Sequence, residues 1–369
     1  MRVCVHAGAL SEKNLHGIGF YTLNILRELS KLNNSSYTLY SNKEFQWKIA
    51  GDNVTTKVLN FPYGWSYLRL PVEFAKNKYD IAFIPKEVCP PFLSDVSVIT
   101  VFDLMHLHFP GYVTKAVKRH FYLAERFSFP RATKILTISE DTKNDLIKLC
   151  HVNPEKILVT PLGYDKNLFK QRNFEEYIAV TEKYHISRPY FINVSSYWWH
   201  RKNIPRLIRS FARAIKKGNC NHDLVITGKR GPDYIEMVSI AEGMGVRDRV
   251  HFLEYVSSID LALLINGAVA MVFPSLHEGF GLPIIEAMAS GCPVLTSNTS
   301  AMPEAAGDAA ILIDPLDESA LTAGIELLAT DEALKSKMRT SGFLQAAKFD
   351  WANTAKDTFN AFRQVAKYY

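Results

Sequence analysis

The stretch Phe273–Pro303, FPSLHEGFGLPIIEAMASGCPVLTSNTSAMP, decides the fold. An apolar run from Ala268 to Phe273 leads into it as a strand, Gly279 and Gly281 punctuate a loop, Pro283 opens a helix, and Pro293 to Thr296 returns as a second apolar strand. Short apolar runs that alternate with a helix and are bounded by turn residues are the pattern of a parallel α/β sheet. Proline in the first helical turn costs nothing, because the N–H it lacks would have no partner there. The two glycines let the backbone turn sharply, so the amides of Gly279, Phe280, Gly281 and Leu282 and the positive end of the helix dipole converge on one small volume. That volume suits an anion, most naturally a phosphate. Glu278 and Glu286 frame it. Two carboxylates beside a bare anion would repel it, whereas a ligand with both phosphate and hydroxyls gives them hydrogen bonds to accept, so a sugar nucleotide fits. The competing reading is a plain loop-to-helix junction whose Glu286 complements the dipole.

The segment Glu278-Gly-Phe-Gly-Leu-Pro-Ile-Ile-Glu286, followed by AMASGCPV and SNTSAMPE, resembles the paired-glutamate motif of the retaining family-4 glycosyltransferases. The resemblance implies the GT-B fold: α/β, with two Rossmann-like domains facing each other across a cleft, donor mostly on the second and acceptor mostly on the first. It assigns Glu278 to hydroxyls of the transferred sugar and Glu286 to the nucleotide ribose. Arg201-Lys202-Asn203 matches the family, with Arg201 and Lys202 neutralising the leaving diphosphate. Ser195 and Ser196 stand where many members carry an earlier arginine. Tyr255 and Val256 fall where the family seats the nucleobase, and Gly17 and Gly19 match the glycines of a loop beneath the donor phosphates. Many members have His-Asp where this chain has Phe102-Asp103, which makes Asp103 and the nearby His106 the candidates for contact with the transferred sugar or acceptor. The alternative leaves His106 and His108 as loop histidines without a role.

Elsewhere the chain repeats one architecture. Val3 to Ala7 reads as a strand, and Thr22, Ile25, Leu26 and Leu29 mark one helix face. Strands follow at Val54–Phe61, Ile81–Pro85, Val96–Phe102, Ile135–Ser139 and Ile157–Pro161. A lone G-x-G at 17–19 lacks the third glycine and the acidic residue of a dinucleotide fingerprint, which argues against a nicotinamide enzyme. The pattern divides the chain into residues 1–165, a polar linker 166–188, residues 189–350 and a helix 351–369. The resemblance implies that 1–165 is the acceptor-side domain and 189–350 the donor domain, and that the helix packs back on the first of these. Tyr112 to Arg131 reads as an amphipathic helix, with Val117, Phe121, Ala124 and Phe127 at apolar spacing and Lys115, Lys118, Arg119 and Arg126 on other faces. It is either a core helix with a solvated face or a peripheral membrane contact.

The chain's 369 residues predict two domains, and 47% hydrophobic with 22% charged residues is ordinary for a globular protein. Five scattered cysteines, none in a C-x-x-C pair, indicate neither a zinc site nor a disulfide framework. No signal-peptide pattern and no bilayer-length apolar run is present, so a cytoplasmic location, peripheral on the inner membrane face, is expected. A net charge of +6 without a long basic cluster argues against nucleic acid. The sequence has no D-x-D triplet; no metal and no cofactor are expected. The SLHEGFGLP and SNTSAMPE versions of the motif resemble bacterial surface-polysaccharide (O-antigen type) mannosyltransferases, implying GDP-mannose as donor and a growing, lipid-linked glycan as acceptor. The alternatives are a UDP-sugar donor, a phosphorylase or sucrose-synthase-like enzyme, and a non-catalytic sugar-nucleotide-binding subunit.

Overall fold

The computed structural model describes residues 1–32, 35–61, 64–90, 96–195, 200–231 and 233–366. The chain divides into two compact units, Met1–Gly163 with Asp350–Tyr369, and Tyr164–Phe349. The first is built on seven strands: β1 (Arg2–His6), β2 (Ser36–Ser41), β3 (Val54–Val58), β4 (Ile81–Ile84), β5 (Ser97–Val101), β6 (Lys134–Thr137) and β7 (Ile157–Val159). All pair in parallel, in the order β3-β2-β1-β4-β5-β6-β7. The second has six: β8 (Tyr190–Val194), β9 (Asp223–Thr227), β10 (Val250–Leu253), β11 (Ala270–Phe273), β12 (Val294–Ser297) and β13 (Ile311–Ile313). They too are parallel, ordered β10-β9-β8-β11-β12-β13. Both orders begin 3-2-1-4, the doubly wound Rossmann arrangement, in which the chain reverses direction across the sheet between the first and fourth strands.

Burial explains the strands. Val3–Val5, Ile81–Ile84 and Leu224–Ile226 are fully buried, as parallel strands covered by helices on both faces must be. In the second unit Phe191, Val272 and Leu295 of the sheet pack with Leu207, Phe211 and Leu321 of the covering helices. In the first, the Trp351–Ala366 helix lies on the Gly17–Leu29 helix: Trp351 meets Phe20 and Tyr21 at centroid distances of 6.1 and 6.0 Å, and Phe362 meets Phe83 at 5.2 Å. Gly163 is obligatory in this contact, since a Cβ there would lie 2.2 Å from the Trp351 nitrogen.

Three segments differ from their reading in the sequence. Gly17 and Gly19 lie not in a loop but in the first turn of the Gly17–Leu29 helix, with His16 as its N-cap. The segment read as an irregular linker contains the Phe174–Lys183 helix, closed by a capping box between Asn173 and Glu176. That pairing was visible as Asn-x-x-Glu, but the preceding polar run masked it. The Tyr112–Arg131 helix starts at Lys115 and is broken by a π-turn over Ala124–Ser128. Of the four residues at apolar spacing, Ala124 is buried while Val117 and Phe127 are exposed.

Candidate active site

In a doubly wound sheet the loops after the two strands flanking the reversal leave toward opposite faces and open a crevice at the strand ends. In the second unit those strands are β8 and β11. Asn193 pins them together, its Nδ2 donating to the Val272 carbonyl at 2.7 Å in a fully buried position. The crevice is where residues 76 apart in sequence meet. Lys202 Nζ lies 2.7 Å from Glu278 Oε1, and Arg201 reaches Glu278 Oε2 at 2.7 Å. Ser275 Oγ donates to the same Oε1 at 2.7 Å.

Local chemistry holds this cluster in place. Asn203, in a left-handed conformation with φ 60°, ends the Arg-Lys-Asn turn and donates to the carbonyls of Pro274 and Pro315 at 3.0 and 2.7 Å. It is the clamp between the post-β8 loop and the post-β11 loop. The Leu276 N–H donates to the Arg201 carbonyl at 2.6 Å, and Arg201 donates to the His277 carbonyl at 2.9 Å. From the other side, hydroxyls of the SNTS run clasp the motif: Ser297 Oγ donates to Ser275 O at 2.6 Å, Thr299 Oγ1 to Leu276 O at 3.3 Å and Ser300 Oγ to Glu278 O at 2.6 Å. The SNTS run was legible in the sequence as part of the motif, but not that its hydroxyls clasp the loop, since those contacts join two strand ends.

The helix after the loop spans Leu282–Ala289, with Gly281 as its N-cap at φ 98° and Pro283 at its second position. No side chain caps it, so its first amides keep the positive field described above. The Phe280 ring is 4% exposed and packs edge-on against Phe349 at 5.6 Å, anchoring the loop whose amides the sequence singles out. The two glutamates have opposite electrostatics. Burial alone would raise the Glu278 pKa, but Lys202 and Arg201 outweigh it and hold the carboxyl down at about 2. Among the described residues no cation offsets the burial of Glu286: burial, helped by the charge of Asp165, pushes it up to about 8. At neutral pH Glu278 is therefore a carboxylate and Glu286 mostly a carboxylic acid, able to donate as well as accept.

Tyr255 and Val256 line a pocket of about 210 Å³ with Val194, Thr227, Gly228 and Glu254, at the carboxyl ends of β8, β9 and β10. The remaining sequence candidates lie in the first unit. Asp103 accepts from the Met105 N–H at 3.0 Å. His106 is 7% exposed, pairs with Glu125 at 2.7 Å and stacks on Phe121 at 3.9 Å, in a short helix rather than a loop. His108 pairs with Asp145 at 2.6 Å. Ser196, which stands near where many family members carry an arginine, lies outside the described residues.

Comparison with known proteins agrees with the fold. Residues 180–344, which contain both halves of the crevice, match the family Glycosyl transferases group 1. The chain is 30% identical to the O-antigen chain mannosyltransferase B of Escherichia coli over 72% of its own length and 70% of that protein's. It is 29% identical to the O-antigen chain mannosyltransferase RfbU of Salmonella typhimurium, over 71% of its length and 68% of that protein's. The solved structure of Anabaena Alr3699/HepE in complex with UDP-glucose superposes with a TM-score of 0.76 at 16% identity, covering 99% of this chain and 100% of that one. The two Rossmann-like units are those of the GT-B fold. The chain belongs to the group 1 glycosyl transferases: it is a glycosyltransferase, and its relatives named above are mannosyltransferases of O-antigen synthesis.

Proposed function

We propose that this enzyme moves mannose from GDP-mannose onto a growing, lipid-linked surface-polysaccharide glycan, with retention at the anomeric carbon and without a divalent metal. The observation that carries the reading is the Lys202–Glu278–Arg201 cluster at the mouth of β11, set before a helix with no side-chain cap. Two cations and a set of helix amides supply the positive charge that a departing diphosphate needs as the bond to the sugar breaks. As they turn to the diphosphate, the Glu278 oxygens become acceptors for hydroxyls of the transferred sugar. The bond from the anomeric carbon to the β-phosphate oxygen breaks, the acceptor oxygen attaches from the same face, and the acceptor's proton passes to the departing phosphate, giving GDP. Glu286 contacts the ribose.

The printed names of the relatives support mannose as the sugar. The Lys115–Leu123 helix has no buried residue; with Tyr112, Tyr122 and Phe127 exposed beside Lys115, Lys118 and Arg119, it is suited to an anionic membrane surface, where a lipid-linked acceptor resides. Among the described residues no helix is long and apolar enough to cross a membrane.

The test is incubation with GDP-mannose and a mannosylated lipid-linked acceptor in EDTA, with NMR of the product. Extension by an α-linked mannose supports the reading. No transfer from GDP-mannose, with transfer from a UDP-sugar instead, refutes the donor; loss on chelation that Mn²⁺ or Mg²⁺ restores refutes metal independence; an inverted product refutes retention.

A further inference from the structure

The pocket at the ends of β8, β9 and β10 carries two charged side chains that the reading above leaves without a task, Lys229 after β9 and Glu254 directly after β10. Glu254 is held from behind. Arg230 Nε lies 2.9 Å from its Oε1, and the Arg230 guanidinium sits 4.3 Å above the Tyr234 ring. That ring meets Phe252 of β10 edge-on at 5.5 Å. A chain of contacts therefore runs from the strand through Tyr234 and Arg230 to the carboxylate at the pocket rim. A carboxylate offers about four lone-pair positions and no donor. Arg230 occupies part of that capacity at Oε1, and the rest faces whatever enters.

An acceptor-only group at a nucleobase pocket discriminates sharply between bases. Guanine places two donors, N1–H and N2–H, side by side, next to the acceptor O6. Uracil places one donor, N3–H, between two carbonyl oxygens, whose lone pairs would oppose the carboxylate. Adenine places a single donor group, N6, beside the acceptor N1. Guanine alone among these meets a carboxylate with two parallel hydrogen bonds and turns an acceptor toward a nearby ammonium.

We infer that Glu254 is the specificity-determining residue for the donor base, its carboxylate accepting N1–H and N2–H of guanine while Lys229 donates to O6. Arg230 is a positioning residue that orients the carboxylate. The inference rests on the guanosine-donor reading and sharpens it.

The measurement is calorimetric titration of GDP, IDP and UDP into the wild type, Glu254→Gln and Arg230→Met. Inosine differs from guanosine only by the missing N2 amino group, so the GDP-to-IDP ratio reports one of the two proposed bonds directly. The wild type should prefer GDP to IDP by roughly 10-fold, and Glu254→Gln should weaken GDP by roughly 10- to 100-fold, the range for charge-assisted hydrogen bonds. Glu254→Gln should also lose the GDP-to-IDP preference, and Arg230→Met should reduce that preference partway. Glu254 is 61% exposed, so these variants should keep the wild-type melting temperature. A wild type that prefers GDP to UDP, with a Glu254→Gln variant that keeps both its GDP affinity and its GDP-to-IDP ratio, overturns the role of Glu254 and leaves the donor reading standing. A wild type that prefers UDP overturns both.

Discussion

The two units share a topology and differ in what they place where the strand order reverses. In the second unit the crevice between β8 and β11 holds Lys202 and Arg201, each 2.7 Å from Glu278. In the first, the same position lies between β1 and β4, and it holds His6, Ser66 and Lys86. His6 Nε2 is 3.0 Å and Lys86 Nζ 3.4 Å from Ser66 Oγ, while Trp65 covers the His6 ring at 4.7 Å. Glu87 is near enough to raise the Lys86 pKa, but burial dominates and brings it down to about 8. Burial, reinforced by Lys86, also takes His6 well below its ordinary value. The lesson is that burial acts on both crevices and the counter-charge decides its outcome. A carboxylate buried against two cations stays ionised, whereas two bases buried around a hydroxyl are driven toward neutrality.

The largest expected effect separates the crevices by activity. Lys202→Ala should lower kcat by roughly 100-fold or more, the scale of losing one preorganised charge stabiliser. Steady-state turnover of GDP-mannose reads it, and near-normal turnover would remove Lys202 from the reaction.

Next comes stability in acid. The Glu278 pKa is depressed in the folded chain, so its ion pairs stabilise fully above about pH 4.5 and lose their contribution as pH falls toward about 2. Glu278→Gln should cost roughly 2 kcal/mol at pH 6, and the difference should shrink as pH falls. Urea denaturation of both proteins at pH 6 and pH 3.5 measures it, and an equal gap at both would contradict the pairing.

Glu286 carries the opposite sign. Its folded pKa lies above the unfolded value, so wild-type stability falls as pH rises from about 4.5 through about 8. Glu286→Gln removes that slope, which should leave the variant more stable than the wild type at pH 9 by roughly 1 to 2 kcal/mol and closer to it at pH 5. Melting curves across that range decide it.

The smallest effect lies in the first unit. A lysine whose folded pKa is lowered penalises folding below about pH 8, and the penalty fades as pH rises toward 10.5. Lys86→Met should therefore stabilise the protein at pH 7 by about 1 kcal/mol. Destabilisation instead would mean that the contact with Ser66 outweighs burial.

This contrast also measures what the sequence discloses. The fold class was legible from one motif because its glycines, prolines and paired acids sit at fixed local spacing, and the fully buried strands announce themselves as apolar runs. Glu278 and Lys202 were each visible as site candidates, but not that they touch, since the contact spans two loops joined only by sheet order. The His6–Ser66–Lys86 group was invisible for the same reason, with no local pattern to single it out. Asn203 read as the third member of a triplet; its work as a clamp between two proline carbonyls exists only in three dimensions. The protonation of Glu286 was equally hidden, because it depends on burial and on Asp165 rather than on neighbours in the motif.

The first unit is completed by the Trp351–Ala366 helix, whose Thr354 donates to the Pro161 carbonyl across 193 residues of sequence. During translation β1 to β7 emerge first, yet Trp351 and Phe362 reach Phe20, Tyr21 and Phe83 only after all of Tyr164–Phe349 has been synthesised. The later-made unit is contiguous in sequence, whereas the unit begun first needs a segment made after it, so the first to be started is the last whose parts are all present. Until then Phe20, Tyr21 and Phe83 lack the aromatic contacts that Trp351 and Phe362 bring.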